Sequence, residues 1–90
     1  MSKKIVFEKD AFDEYIYWQK NDKKILFRIN ELIKDIQRNG VLNGIGKPER
    51  LKGKLSNLYS RRINKEHRLV YFIENDSIFI LACKTHYENN

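Results

Sequence analysis

The sequence predicts an α+β domain: β-α-α followed by an antiparallel β meander, with two helices packed on one sheet face. Three observations carry that expectation. An apolar stripe of helical period runs through residues 23–38. A hairpin-like stretch covers residues 59–71. The run from Ile78 to Cys83 is apolar at every position. Ninety residues suggest one small domain over 1–90, and a chain of this size has to use nearly every apolar stripe it has.

Ile5, Val6 and Phe7 follow two lysines and are consistent with a short first strand. Asp10 reads as an N-cap, with Asp13 and Glu14 in a first helical turn where the helix dipole favours acids. Phe12, Tyr15 and Ile16 then share a helical face, widened by Tyr17 and Trp18, and an aromatic stripe at this spacing reads as core. Asn21 and Asp22 break the pattern and cap a second helix. Its stripe is Ile25, Ile29, Leu32, Ile33 and Ile36, with Leu26 beside it. Lys23, Lys24, Arg28, Glu31, Lys34, Asp35 and Arg38 fall on the other, solvated face, and Asn39-Gly40 supplies the stop.

All four glycines and the single proline lie between residues 40 and 53. Gly44-Ile45-Gly46 lacks the lysine-serine of a P-loop and the rest of a dinucleotide fingerprint, so it is not read as a phosphate loop. Pro48 biases Lys47 toward extended backbone. Leu51 and Leu55 are expected to anchor the segment, with residues 49–52 as a short edge strand.

Tyr59, Ile63, Leu69, Val70 and Tyr71 favour a pleated hairpin, broken by the polar Asn64, Lys65 and Glu66. Arg61, Arg62, His67 and Arg68 sit on the same short hairpin. They describe either a surface built to meet an anion or an exposed charged face that keeps a sheet soluble. Residues 74–77 form a polar loop, and the final apolar strand should be central or covered on both faces, in direct contact with the second helix. Cys83 reads as a small buried hydrophobe.

The charge narrows the function classes. A net +6 and an isoelectric point near 9.5 point toward polyanions: nucleic acid, an acidic membrane surface or an acidic protein. One cysteine permits no intramolecular disulfide and no thiolate metal cluster. The N-terminal stretch shows no cleavage signal and no window approaches a membrane span, so a cytoplasmic protein without a membrane partner is expected. His67 and His86 lack the companions of a metal site, and neither metal nor cofactor is expected.

Acid–base chemistry at phosphate is the constellation these residues can support. Glu49 lies among Lys47, Arg50, Lys52 and Lys54, cations that favour its ionised, proton-accepting form. His86 titrates near neutrality and can donate a proton. Arg62 and Arg68 can hold phosphate oxygens, and Tyr87 can stack on a base or donate a hydrogen bond. These are parts for metal-free RNA cleavage, in which a ribose 2′-OH attacks the adjacent phosphate. The alternative is that Glu49 is a surface carboxylate paired with lysines and His86 merely ends a strand. A non-catalytic basic nucleic-acid-binding module, such as a corepressor, belongs to that alternative.

The ordered set of short motifs resembles the YoeB/Txe toxins of the RelE superfamily. It comprises Tyr17-Trp18-Gln19, Ile-Asn-Glu-Leu-Ile-Lys-Asp at 29–35, Gly-x-Gly-Lys-Pro-Glu at 44–49, Ser-Arg-Arg-Ile at 60–63, Glu-His-Arg-Leu-Val-Tyr at 66–71, and His86-Tyr87. The resemblance implies a microbial-ribonuclease-like fold. It implies a bacterial toxin that cleaves mRNA in the ribosomal A site and is neutralised by a YefM/Axe-like antitoxin. It places Glu49 as general base, Arg68 as phosphate stabiliser, His86 as general acid and Tyr87 as the adjacent aromatic. Lys52 and Arg62 match supporting basic positions. With Lys47 and Arg61 they complete the RNA-binding set expected here. The implied partners are the antitoxin, the 70S ribosome with its mRNA, operator DNA through the toxin–antitoxin complex, and, as a further candidate, a second copy of the chain. Two departures stand out: residues 88–90 extend beyond the His-Tyr end, and Tyr59 stands where tryptophan is common.

Overall fold

The computed structural model describes residues 3–55 and 57–85. In chain order the elements are β1 (Lys4–Phe7), α1 (Lys9–Asn21), α2 (Lys23–Asn39), β2 (Glu49–Arg50), a single 3-10 turn at Gly53–Leu55, β3 (Tyr59–Arg62), β4 (Arg68–Glu74) and β5 (Ser77–Thr85). The five strands form one mixed sheet in the order β1-β5-β4-β3-β2. β2 to β5 run as the expected antiparallel meander, and β1 lies parallel to β5 at the far edge.

α1 starts earlier than the sequence suggests. Its cap is Glu8, whose side chain makes no capping bond, and Asp10 lies inside the first turn. The Glu8 N–H donates to Ile80 O at 3.0 Å, so the chain passes from β1 into the helix while still tied to β5. This entry sets the helix rotation. Ala11 and Trp18 are buried and Tyr15 packs partly against the core, whereas Phe12 and Tyr17 are about half exposed. The aromatic stripe is therefore only partly core, and the small Ala11 is fully buried beside Trp18 in the same cluster.

Asp22 closes one helix and opens the next. Its N–H donates to Trp18 O, while its carboxylate accepts from the N–H groups of Lys24 (3.1 Å) and Ile25 (3.2 Å). α2 ends at Gly40, where φ is 92° and the N–H returns to Ile36 O. Ile29, Leu32 and Ile36 are fully buried, as their 3.6-residue spacing requires. α2 and β5 contribute to one core cluster, but α1 is the helix that lies along β5.

The core fixes which sheet face is which. Leu69 and Tyr71 of β4 and Ile78, Ile80 and Cys83 of β5 join the helices in one cluster. Side chains alternate along a strand, so Val70 and Phe72 turn to the opposite face. There Phe72 stacks on Phe79, with ring centres 4.8 Å apart and planes 4° apart. β5 is internal as expected, but its second face is only partly covered: Phe79 and Leu81 keep some exposure. Burial pushes the Cys83 thiol up to about 12, as fits an inert core cysteine. A two-residue turn, Asn75-Asp76, joins β4 to β5 with φ of 50° and 62°, the primed geometry that tight hairpins favour. Leu51 is buried and anchors the segment after β2; the Leu55 side chain lies outside the described part.

Candidate active site

The candidate residues Glu49, Arg62 and Arg68 fall on the sheet face without helices. β2 is two residues long, and Glu49 pairs with Ser60 of β3, which pairs in turn with Val70 of β4. One step along, Arg62 of β3 lies opposite Arg68 of β4, and Arg68 lies opposite Thr85 of β5. Alternation puts Glu49, Ser60, Val70, Arg62, Arg68 and Thr85 on one face. With strands about 4.8 Å apart and about 3.3 Å of rise per residue, the Glu49 and Arg68 backbones stand about 12 Å apart. That separation is of the order of one nucleotide unit, so the two residues can flank a single phosphodiester group.

Arg62 and Arg68 are a like-charge pair directly across two strands, an arrangement that is unfavourable by itself. Arg68 is 9% exposed and its orientation is fixed. Its Nη1 donates to Asn64 O at 2.9 Å and His67 O at 3.2 Å. The loop that offers these carbonyls is built by Asn64, whose Oδ1 accepts from the N–H groups of Glu66 and His67 at 2.9 and 2.7 Å. Arg62 is exposed. An anion lying against both guanidinium groups would relieve their repulsion.

The expected RNA-binding role of Arg61 is corrected by the structure. Arg61 is fully buried on the helix side. Its guanidinium pairs with Asp35 and donates to Tyr71 Oη (3.0 Å) and to the carbonyls of Gly40 (2.7 Å), Asn43 (2.8 Å) and Ile45 (3.0 Å). No donor geometry remains for a phosphate. Asp35, placed by the sequence on the solvated face of α2, is buried with it. Burial raises the Asp35 pKa, but hydrogen bonds from Arg61, the Ile45 N–H and Asn39, together with the Arg61 charge, outweigh that and hold it below the ordinary carboxylate value. Burial pushes the Tyr71 phenol up against the pull of Arg61, so it stays protonated and donates to Val41 O at 2.6 Å.

Lys47, Glu49 and Lys52 are exposed along the segment that enters and leaves β2. Lys47 departs from expectation: its φ is 49°. The Gly46 carbonyl is tied to the Arg62 N–H at 2.7 Å, and the chain completes its turn at Lys47 before β2 begins. The assignments of His86 and Tyr87 lie outside the described residues, as does the 88–90 extension. The described chain reaches Thr85, opposite Arg68. His67, the other histidine, is turned inward: its ring meets Trp18 edge-on at 5.0 Å, and its side chain is 14% exposed.

Two residues that position the site escaped sequence reasoning. Between Arg68 and Val70 the β5 register slips, so Cys83 and Lys84 together face the single residue Leu69. Glu14 Oε1 accepts the N–H groups of both, at 2.7 and 3.0 Å, and Trp18 Nε1 donates to Cys83 O at 2.9 Å. α1 thus holds the end of β5 beside Arg68. Asp35 had a legible signal, because it lies within about 60° of Leu32 on a helical wheel of 100° per residue. Glu14 had none.

Two surface grooves of about 330 and 270 Å3 lie elsewhere, one lined by residues such as Phe7, Tyr15 and Ile33, the other by residues such as Arg28 and Asn64. Neither is lined by Glu49 or Arg68.

Known proteins share the sequence and the fold. The family model described as "YoeB-like toxin of bacterial type II toxin-antitoxin system" matches residues 7–87. Toxin YoeB of Escherichia coli K12 is 51% identical over 84 residues, covering 93% of this chain and 99% of that protein. The structure titled "The structure of YoeB dimer from Staphylococcus aureus" superposes with a TM-score of 0.91 at 55% identity, covering 97% of this chain and all of that one. The "YoeB-YefM complex from Staphylococcus aureus" gives a TM-score of 0.88 at 54% identity over the same shares. With family model, sequence and fold all matching over nearly the whole length, the chain belongs to the YoeB-like toxins of bacterial type II toxin–antitoxin systems.

Proposed function

We propose that the chain is a metal-independent endoribonuclease that cleaves mRNA in the ribosomal A site and so arrests translation. The observation that carries this reading is that Glu49 and Arg68 share the sheet face away from the helices, about 12 Å apart by strand geometry. Glu49 takes the proton of a ribose 2′-OH. The 2′-oxygen forms a bond to the adjacent phosphorus, the bond from phosphorus to the 5′-oxygen breaks, and His86 protonates that leaving oxygen. The products are a 2′,3′-cyclic phosphate and a 5′-OH. Arg68, fixed by the loop carbonyls, faces the charge that grows on the phosphate, and Arg62 adds a second guanidinium. Lys47 and Lys52 neutralise flanking phosphates, and Tyr87 stacks on a neighbouring base. DNA lacks the nucleophile, so the chemistry itself selects RNA.

The chain works in the cytoplasm, where its ribosomes and mRNA are. Its +6 charge fits a partner with an acidic, flexible segment that orders over the basic face. A YefM-like antitoxin is that partner by analogy with the staphylococcal complex, and operator DNA is the partner we infer for the pair together. Single-turnover cleavage on programmed ribosomes tests the chemistry. Glu49→Gln and His86→Gln should each slow it by ~10²–10⁴-fold while ribosome affinity holds. Arg68→Lys should recover part of the rate lost in Arg68→Ala, because lysine keeps the charge without the planar fork. Wild-type rates in both Glu49→Gln and His86→Gln would sink the acid–base assignment, and lost affinity in their place would make these residues docking groups.

A further inference from the structure

Residues 40–48 link α2 to β2 without helix or strand, and they carry Glu49 to its place. Apolar burial does little to hold them: Leu42 and Ile45 are 46% and 38% exposed, and Val41 alone packs partly against the core. Three buried polar side chains hold them by the backbone. Arg61 takes the carbonyls of Gly40, Asn43 and Ile45, Tyr71 takes that of Val41, and Asp35 takes the Ile45 N–H at 3.0 Å. The glycines fit the same clamp. Gly44 has φ 117° and a Cβ there would fall inside the Asp35 carboxylate; Gly46 has φ 83° and a Cβ there would come within 2.7 Å of Leu32 Cδ2. The clamp ends at the bond from Arg62 N–H to Gly46 O, three residues before Glu49.

We propose that Asp35, Arg61 and Tyr71 are positioning residues for Glu49, setting the height and register of the two-residue strand that presents it. The proposal rests on the reading of Glu49 as general base. Arg61 lies on β3 between Ser60, opposite Glu49, and Arg62, opposite Arg68. One short strand therefore registers both reacting groups on its outer face and anchors the linking segment on its inner face. A displacement of about 1 Å at a catalytic group can cost about 10²-fold in rate. β2 is an edge strand of two residues, anchored on its far side by buried Leu51, whose N–H donates to Leu58 O at 2.9 Å, and the clamp on residues 40–46 sets its entry side.

The test uses Asp35→Asn, which keeps shape and removes charge, and Tyr71→Phe, which removes one hydroxyl. Both are assayed where unfolding curves show the protein fully folded. Amide exchange should quicken about tenfold or more across residues 41–49 while the buried amides of β4 and β5 stay protected. Single-turnover cleavage per folded molecule should fall about 10–100-fold with ribosome affinity unchanged. A purely structural role would leave the rate of the folded fraction at the wild-type value, and that result overturns the proposal. So does unchanged exchange across 41–49. If the wild-type chain itself fails to cut mRNA on ribosomes, the nuclease reading falls and the proposal that these are positioning residues for a general base falls with it. A cutting wild type with unaffected variants removes the clamp alone.

Discussion

Glu14→Ala tests whether α1 holds the end of β5 that lies beside Arg68. The register slip leaves the N–H groups of Cys83 and Lys84 facing one residue, and Glu14 accepts both. Cys83 is fully buried, so its N–H has no access to water when the carboxylate is removed. A buried donor left unpaired costs about 1–3 kcal/mol. Lys84 is exposed and its N–H can turn to solvent, so its bond is worth only about 0.5–1.5 kcal/mol. The bond from Trp18 Nε1 to Cys83 O survives and keeps the strand from parting altogether. Together these give about 2–4 kcal/mol. At roughly 4–8 °C per kcal/mol for a domain of this size, Tm should fall by about 8–32 °C. Glu14→Gln keeps an acceptor and loses only the charge assistance, so it should cost about 1 kcal/mol. Urea and thermal unfolding of both variants measure the difference. If the two variants match and each loses less than about 0.5 kcal/mol, Glu14 does not hold the strand and the argument is wrong.

Acid should act through Asp35. Its folded-state pKa lies below the ordinary value of 3.8, so its contribution is complete above that value and is lost as pH falls through the folded value. Denaturant titrations from about pH 5 down to about pH 2 should show a steeper loss of stability for wild type than for Asp35→Asn, and equal slopes would count against the clamp's charge. Ribosome affinity should fall steeply with added salt, as expected when Lys47, Lys52 and Arg62 neutralise phosphates, and Arg62→Ala should flatten that dependence by about one unit of slope in a log–log plot. An affinity flat between low and physiological salt would exclude electrostatic docking.

The second helix was legible because its signal is local and repeated. Asp22, the stripe from Ile25 to Ile36, and Gly40 all act within one element, and each does in the structure what its spacing implies. α1 was less legible because its rotation is set from outside, by the bond from Glu8 to Ile80 in β5. Periodicity named the aromatic residues as core, and Trp18 is buried as expected, but the tie to the strand also turned Ala11 inward and left Phe12 and Tyr17 about half exposed. The parallel pairing of β1 with β5 has the same character. Ile5 to Phe7 announce a strand, but no local residue says which neighbour they will find.

The candidate site shows where such reading stops. Arg61 and Arg62 are adjacent on one strand, so their side chains must leave on opposite faces. With the helices covering one face, one of the two had to be buried, and a buried guanidinium needs an acid and several acceptors. Composition treats both as free cations for RNA. The acid, Asp35, stands 26 residues earlier, on what looks like the solvated side of a helix, and the acceptors are carbonyls of a glycine-rich segment whose path no pattern specifies. Once that pair forms, the remaining assignments follow from register alone: Arg62 turns outward, Arg68 lies opposite it, and Glu49 enters the same face across Ser60. The charge that appeared most available to a ligand is the one that sets where the others stand.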